Sequence, residues 1–165
     1  MIDNMTRWLE GVQGEITRRH MRGLLEPIFD RYTSQPLSSA GLVIKAGGGV
    51  LAKIGATAFV GIANGIPVSI AASTDMPALS GVITATYFNV FCFFVDSASV
   101  VTSAMGTEAT TLAGVKFPAF PLGKCLVGFL IVTYASTFTG NSTALDTATT
   151  LYVSPTGPFD PSCLV

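Results

Sequence analysis

Residues 86–95 read TYFNVFCFFV, and the pairing of that run decides the fold. At a period of two, Thr86, Phe88, Val90, Cys92 and Phe94 share one face, while Tyr87, Asn89, Phe91, Phe93 and Val95 share the other. The aromatic and β-branched content favours a strand over a helix. Both faces are largely apolar. Such a strand requires cover on two sides, from a second layer of its own domain or from another copy of the chain.

Working outward from it, the chain beyond residue 41 falls into short β-like runs separated by small polar turns. The pattern places strands near 42–45, 50–53, 57–62, 67–71, 81–84, 86–95, 99–103, 112–117, 125–135 and 149–153. Asn64-Gly65, set between AFVGIA and IPVSIAA, is the composition of a two-residue type I′ hairpin turn. Asp96-Ser97-Ala98 reads as a second hairpin, joining the central strand to SVVTSAM. Pro118, Pro121 and Gly123 interrupt the chain before the second long strand. Short strands at this spacing predict a mainly β domain, an antiparallel β-sandwich of jelly-roll or Greek-key type. The polar stretch 137–150, TFTGNSTALDTATT, is expected at an exposed tip.

The first 32 residues are of another kind. Met5, Trp8, Leu9, Val12 and Ile16 follow a helical spacing, which Met21, Leu24, Leu25, Ile28, Phe29 and Tyr32 continue after a phase adjustment around Arg19-His20. Asp3, Asn4 or Thr6 can cap the start. Gly11, Gly14 and Gly23 each weaken the helix by about 1 kcal/mol relative to alanine, and Pro27 is expected to end or kink it. An amphipathic helix this marginal must dock its stripe. It can do so on its own body, on sister helices, or on a larger surface. The basic residues Arg18, Arg19, His20 and Arg22 either meet phosphates or an acidic partner, or form a solvated face with Glu15 one turn before Arg19. The polar connector TSQPLSSA then divides the chain into an arm at 1–32, a linker at 33–40 and a β-sandwich domain at 41–165.

Charge sharpens that division. Charged residues make up 12% of the 165-residue chain, against a usual share of about 25%. All five arginines lie in the arm, leaving four lysines and five acids for the rest. A surface so poor in charge is expected to be partly hidden in an assembly. A net charge of −1 gives no reason to expect a nucleic-acid surface. The start, MIDNMTRWLEG, lacks the basic and apolar regions of a signal peptide, and no apolar run reaches the roughly 18 residues of a membrane span. Of three cysteines, Cys92 and Cys125 sit in apolar runs as small buried hydrophobes, Cys163 lies near the end, and a reduced, intracellular site of folding fits.

Catalytic and ligand-binding patterns are not found. His20 is the single histidine, in the arm and far in sequence from any candidate nucleophile, which argues against a Ser-His-Asp or Cys-His site. Three scattered cysteines do not make a zinc site. Gly47-Gly48-Gly49 with Ala52 matches G-x-G-x-x-A only in outline, because a strand-like segment follows where a helix is needed; a tight turn or bulge is the better reading. Asp96, Glu108 and Asp146 either gather a cation or serve as solvated turn residues. No cofactor and no enzymatic activity are expected.

Residues 37–163 resemble small virion structural proteins of tailed bacteriophages. The likeness lies in an Ala/Thr/Ser/Gly-rich, charge-poor style and in phrases such as VSIAASTDMPAL (68–79), FFVDSASVVTSAMGT (93–107) and VTYASTFTGNSTALDTATT (132–150). A charged N-terminal arm before such a domain looks like a capsid decoration (cement) protein or a head fibre. The resemblance implies homo-oligomers, commonly trimers, seated on a virion shell with a major capsid protein or other shell protein as partner. It carries over no individual site residue. The expectation is a non-enzymatic virion protein that self-associates through apolar faces, gripped by Trp8, Leu9, Val12 and Ile16 with Arg18 and Arg22 beside them. The rival is a receptor- or carbohydrate-binding module of a phage fibre or tail tip, with contacts in 137–150, where Phe138 is the one aromatic available to stack on a sugar.

Overall fold

A computed structural model describes residues 28–159 together with Arg19, Leu25 and Glu26. Among the described residues the chain is mainly β, in antiparallel sheets with little helix. The two-faced run forms the strand β7 from Phe88 on (Phe88–Val95), with Thr86, at a φ of 68°, in the turn before it, and the second long run forms β9 (Cys125–Thr133). They pair antiparallel at the centre of a four-stranded sheet, flanked by β8 (Val101–Met105) beside β7 and β11 (Thr149–Val153) beside β9.

Both faces of that sheet are covered, and the cover comes from the chain itself. Phe91, Phe93 and Val95 join Val127, Leu130 and Val132 in the larger core cluster, with Ile54, Phe59 and Ile83 brought to it by the shorter strands. Val90, Cys92 and Phe94 join Leu126 and Phe129 on the opposite face. There the cover is aromatic: Phe117 meets Phe129 edge-on at 5.0 Å, and Phe120 meets Phe94 at 5.1 Å. Phe159, from the end of the described chain, lies 5.5 Å from Phe129. Full burial of a ring such as Phe94 or Phe129 contributes about 1.5–3 kcal/mol, and the half-buried Phe117, Phe120 and Phe159 contribute less. Of the two sources of cover open to the central strand, the described residues supply the first, so β7 makes no demand for a second copy.

The apolar residues of β9 change parity along its length, because one residue is inserted. Phe93 lies opposite Gly128 and Phe94 opposite Leu126, leaving Val127 as the extra residue of a β-bulge. The insertion lets Cys125 and Val127 face the same cluster as Leu130 and Val132. Gly128 is required at this kink, since a Cβ there would stand 2.6 Å from both Leu42 Cδ1 and the Val153 carbonyl oxygen.

The remaining strands form small sheets. β4 (Phe59–Ala63) and β5 (Ile66–Ile70) are joined at Asn64 and Gly65, with φ of 51° and 76°, the type I′ geometry expected of that pair. β2 (Val43–Ile44) and β3 (Ala52–Lys53) flank the three-glycine segment, where the Gly49 N–H donates to the Ala46 carbonyl at 2.9 Å and Gly48 has a φ of 72°. This is the tight turn read from the sequence. Between β7 and β8, Asp96 Oδ1 accepts the N–H groups of Ala98 and Val100, each at 3.0 Å, which closes the second hairpin.

Three segments differ from expectation. The connector 33–40 contains β1 (Gln35–Pro36), which pairs with β4. Thr33 accepts the Gly65 N–H, Leu37 and Ser38 both donate to the Val60 carbonyl, and Ala40 is fully buried. Proline is tolerated there because a two-residue strand on a sheet edge needs few donors. The run 112–117 is not a strand: Leu112–Gly114 form a 3-10 turn, and only Lys116 bridges to Thr107. The stretch 137–150 is exposed only in part, with Asn141, Ser142, Asp146 and Thr147 at the surface. It supplies β10 (Phe138–Thr139), paired with β6 (Val82–Ile83), and it buries Phe138, Leu145 and Ala148. Its polar residues conceal isolated apolar anchors.

Candidate interaction surface

At the N-terminal edge of the described chain, residues 28–33 are helical, as are Arg19, Leu25 and Glu26. Trp8, Leu9, Val12, Ile16, Arg18 and Arg22, the residues expected to grip a partner, lie outside the described residues, as do Pro27 and Cys163. The described end of the same stripe is present, and its orientation is informative. Leu25, Ile28, Phe29 and Tyr32 are all exposed, Phe29 and Tyr32 by more than half at 63% and 61%. Yet the helix is not loose from the body. Asp30 Oδ1 accepts the Gly123 N–H at 2.7 Å and the Ser34 hydroxyl at 3.4 Å. The Arg31 guanidinium lies 4.5 Å from the centre of the Phe120 ring, within the range of a cation–π contact. Ser34 in turn accepts the Asn64 N–H at 3.0 Å, and Thr33 Oγ1 donates to the Phe29 carbonyl at 3.0 Å, closing the helix end.

The usual amphipathic arrangement is thereby reversed. A surface helix ordinarily turns its apolar stripe to the core and its charges to water. Here the charged residues Asp30 and Arg31 contact the body, while Ile28 and Tyr32 are exposed and Leu25 and Phe29, also exposed, edge a groove against it. Between the helix and the 122–123 turn runs an open groove of about 630 Å³, with Leu25, Phe29 and the exposed Leu122 on its apolar side and Asp30 at its floor. Asp30 Oδ2 is buried and takes no hydrogen bond among the described residues. A buried oxygen left so costs on the order of 1–3 kcal/mol, offset here by the charge-assisted bond to Gly123.

The other polar residues singled out by sequence are engaged locally. Asp96 closes the β7–β8 turn, Glu108 accepts the Thr84 N–H and hydroxyl at 2.7 Å each, and Asp146 accepts the Gly48 N–H at 2.6 Å. Each fastens a different turn, and among the described residues no three of His, Cys, Asp and Glu group as metal ligands do. Cys92 and Cys125 are fully buried and unpaired. Burial pushes the Cys92 thiol far above its ordinary range. It pushes Cys125 up to about 12, against a smaller downward pull from a backbone hydrogen bond at Ile62. Both behave as small hydrophobes rather than nucleophiles. Phe138 is 1% exposed and packs against Phe91 at 6.0 Å, so the one ring expected to stack on a sugar is part of the core.

No residue pattern announces the Asp30–Gly123 clamp, whose partners lie 93 positions apart. No helix among the described residues is long and apolar enough to cross a membrane. Comparison with known proteins returns no matching family model, no matching curated relative and no matching solved structure.

Proposed function

We propose that this chain is a non-enzymatic structural protein of a virion, of the capsid decoration (cement) kind, whose N-terminal helix is the element that assembles and anchors it. The observation that carries the reading is the reversed helix: a polar face clamped to the body through Asp30 and Arg31, and an apolar face turned to solvent. A helix fastened to the body with Leu25, Ile28, Phe29 and Tyr32 exposed is suited to docking, because exposure of contiguous apolar surface marks an interaction site. Upstream, Trp8, Leu9, Val12 and Ile16 extend the stripe, with Arg18 and Arg22 beside it. The body is read as a sandwich in which the four-stranded sheet packs, through its larger cluster, against the smaller sheets. Its part is a compact block carried by the helix, and the sparse charge of its surface fits a place within a shell.

On this reading the shell joint is stabilised by apolar burial, at about 25 cal/mol per Å² before the costs of association. The test is occupancy. Purified chain is mixed with empty phage shells, sedimented, and the bound fraction measured for the wild type and for Trp8→Ala with Leu9→Ala. The double variant is expected to keep the near-ultraviolet signature of the body and to lose most of its occupancy. Equal occupancy of the two chains sinks the anchoring role. For the receptor- or carbohydrate-binding alternative, Phe138 is buried in the core and is not available to stack on a sugar.

A further inference from the structure

The Asn64-Gly65 turn does more than reverse a hairpin, because the end of the helix is fastened to it. The Gly65 N–H donates to the Thr33 carbonyl at 2.8 Å, and the Asn64 N–H donates to Ser34 Oγ at 3.0 Å. The Ser34 hydroxyl donates in turn to Asp30 Oδ1 at 3.4 Å, the same oxygen that holds the Gly123 N–H. The Gly123 turn closes on the hairpin as well, since a Cβ added to Gly123 would stand 3.5 Å from the Cβ of Asn64. Three segments therefore meet at one asparagine. Asn64 and Gly65 are both exposed to water.

An asparagine followed by glycine can cyclise on its own backbone, because glycine has no side chain to keep its amide nitrogen away from the asparagine carboxamide. We propose that Asn64 is a self-modification site held silent by the docked helix. While the helix is in place, the Gly65 N–H is engaged by Thr33 and the turn is pinned by Ser34. When the helix lets go, solvent base takes the Gly65 amide proton and the Gly65 nitrogen attacks Asn64 Cγ. The new N–Cγ bond forms as the Cγ–Nδ2 bond breaks, and the departing nitrogen takes a proton from water and leaves as ammonia. Water then opens the five-membered imide at either carbonyl, giving aspartate or isoaspartate. Either product places a carboxylate on the groove already lined by Glu26 and Asp30, where like charges repel. Isoaspartate also adds a methylene to the main chain of a two-residue turn, whose φ angles of 51° and 76° match the strands only at the native length. Both changes oppose redocking. A reversible opening of the helix is thereby made permanent.

Peptide mapping of the full chain after incubation in mildly alkaline buffer tests it, with Asn141-Ser142 as the internal control. Asn141 is also exposed, in a turn tied to Thr139 and Gly81. The wild type is expected to convert Asn64 far more slowly than a synthetic peptide of residues 57–71. Asp30→Ala and Ser34→Ala each cut one tie at the junction. Each is expected to convert Asn64 about 5–30-fold faster than the wild type, the factor by which a lost contact raises the open population. The rate at Asn141 is expected to stay unchanged. Converted chain, separated by ion exchange, is expected to exchange the Gly123 amide hydrogen faster than native chain. A wild type that converts at the rate of the peptide overturns the proposal, as do variants that convert no faster than the wild type. Faster conversion at Asn141 and at the buried Asn89 as well assigns the effect to general unfolding and overturns control by the helix. Unchanged Gly123 exchange in converted chain overturns the consequence for docking.

Discussion

The central strand and one stripe of the N-terminal helix are both apolar in sequence, yet among the described residues only the strand is covered on both faces. β7 buries its odd-numbered residues among the short strands and its even-numbered ones beneath Phe117, Phe120 and Phe159. The helix leaves Ile28, Phe29 and Tyr32 in water while it clamps Asp30 and Arg31 to the body. Apolar content alone therefore does not locate an interface. Among the described residues, what distinguishes the two regions is whether segments distant in sequence come back to cover the face.

The comparison breaks most visibly where the covered strand is cut. Phe91 is fully buried at the centre of the larger cluster, and Phe91→Ala is expected to destabilise the body by about 3–5 kcal/mol through lost transfer energy and the cavity left behind. A denaturant titration reads this as a lower midpoint. A loss under about 1 kcal/mol would mean that the strand is not the centre of the body. Next in size is Gly128→Ala at the bulge, where the added methyl collides with Leu42 and with a backbone carbonyl. Leu42 can shift and the carbonyl of Val153 cannot, which puts the cost at about 1–3 kcal/mol. An unchanged midpoint would remove the bulge as a constraint on how β9 divides its residues between the two faces.

The clamp comes third and separates the regions most directly. Asp30→Ala removes the acceptor for the Gly123 N–H, at a cost of about 1–2 kcal/mol. That loss belongs to the docking of the helix, not to the core of the body. Hydrogen exchange is expected to speed up at the Gly123 amide and to stay unchanged at amides of β7 and β9. Faster exchange throughout the sheet would show that helix and body form one cooperative unit.

Much of the body was legible because its signals are local. The alternation over 88–95, the Asn64-Gly65 pair and the Asp96 turn each depend on neighbours a few residues away and form as read, whereas Thr86, read as the first residue of the strand, lies in a turn with a φ of 68°. The misread segments lack such signals. In TSQPLSSA nothing nearby marks Gln35 and Pro36 as partners of Ile62 and Gly61. In 137–150 the apolar residues Phe138 and Leu145 are too sparse to show a period, though both end in the core. The helical stripe was visible at 25, 28, 29 and 32, but the side it presents to the body depends on Asp30 meeting Gly123 across 93 positions. Periodicity shows that a helix has two faces and leaves open which one turns inward.

The smallest expected effect is the most discriminating. Phe29 is as large as Phe91 and is 63% exposed, so Phe29→Ser removes a ring that the body does not bury. At a dilution where the chains are separate, the body is expected to unfold within about 0.5 kcal/mol of the wild type, as for a surface substitution away from any cap or core. At high concentration the two proteins diverge, because association adds stability only to a chain that can associate. The wild-type midpoint rises with concentration and the variant's rises less. Trp8, the single tryptophan, lies in the arm, and its fluorescence follows the arm, while hydrogen exchange at amides of β7 and β9 follows the body. A Phe29→Ser chain destabilised at every concentration to the extent of Phe91→Ala would place that ring in the core, and the contrast between covered strand and uncovered helix would be lost.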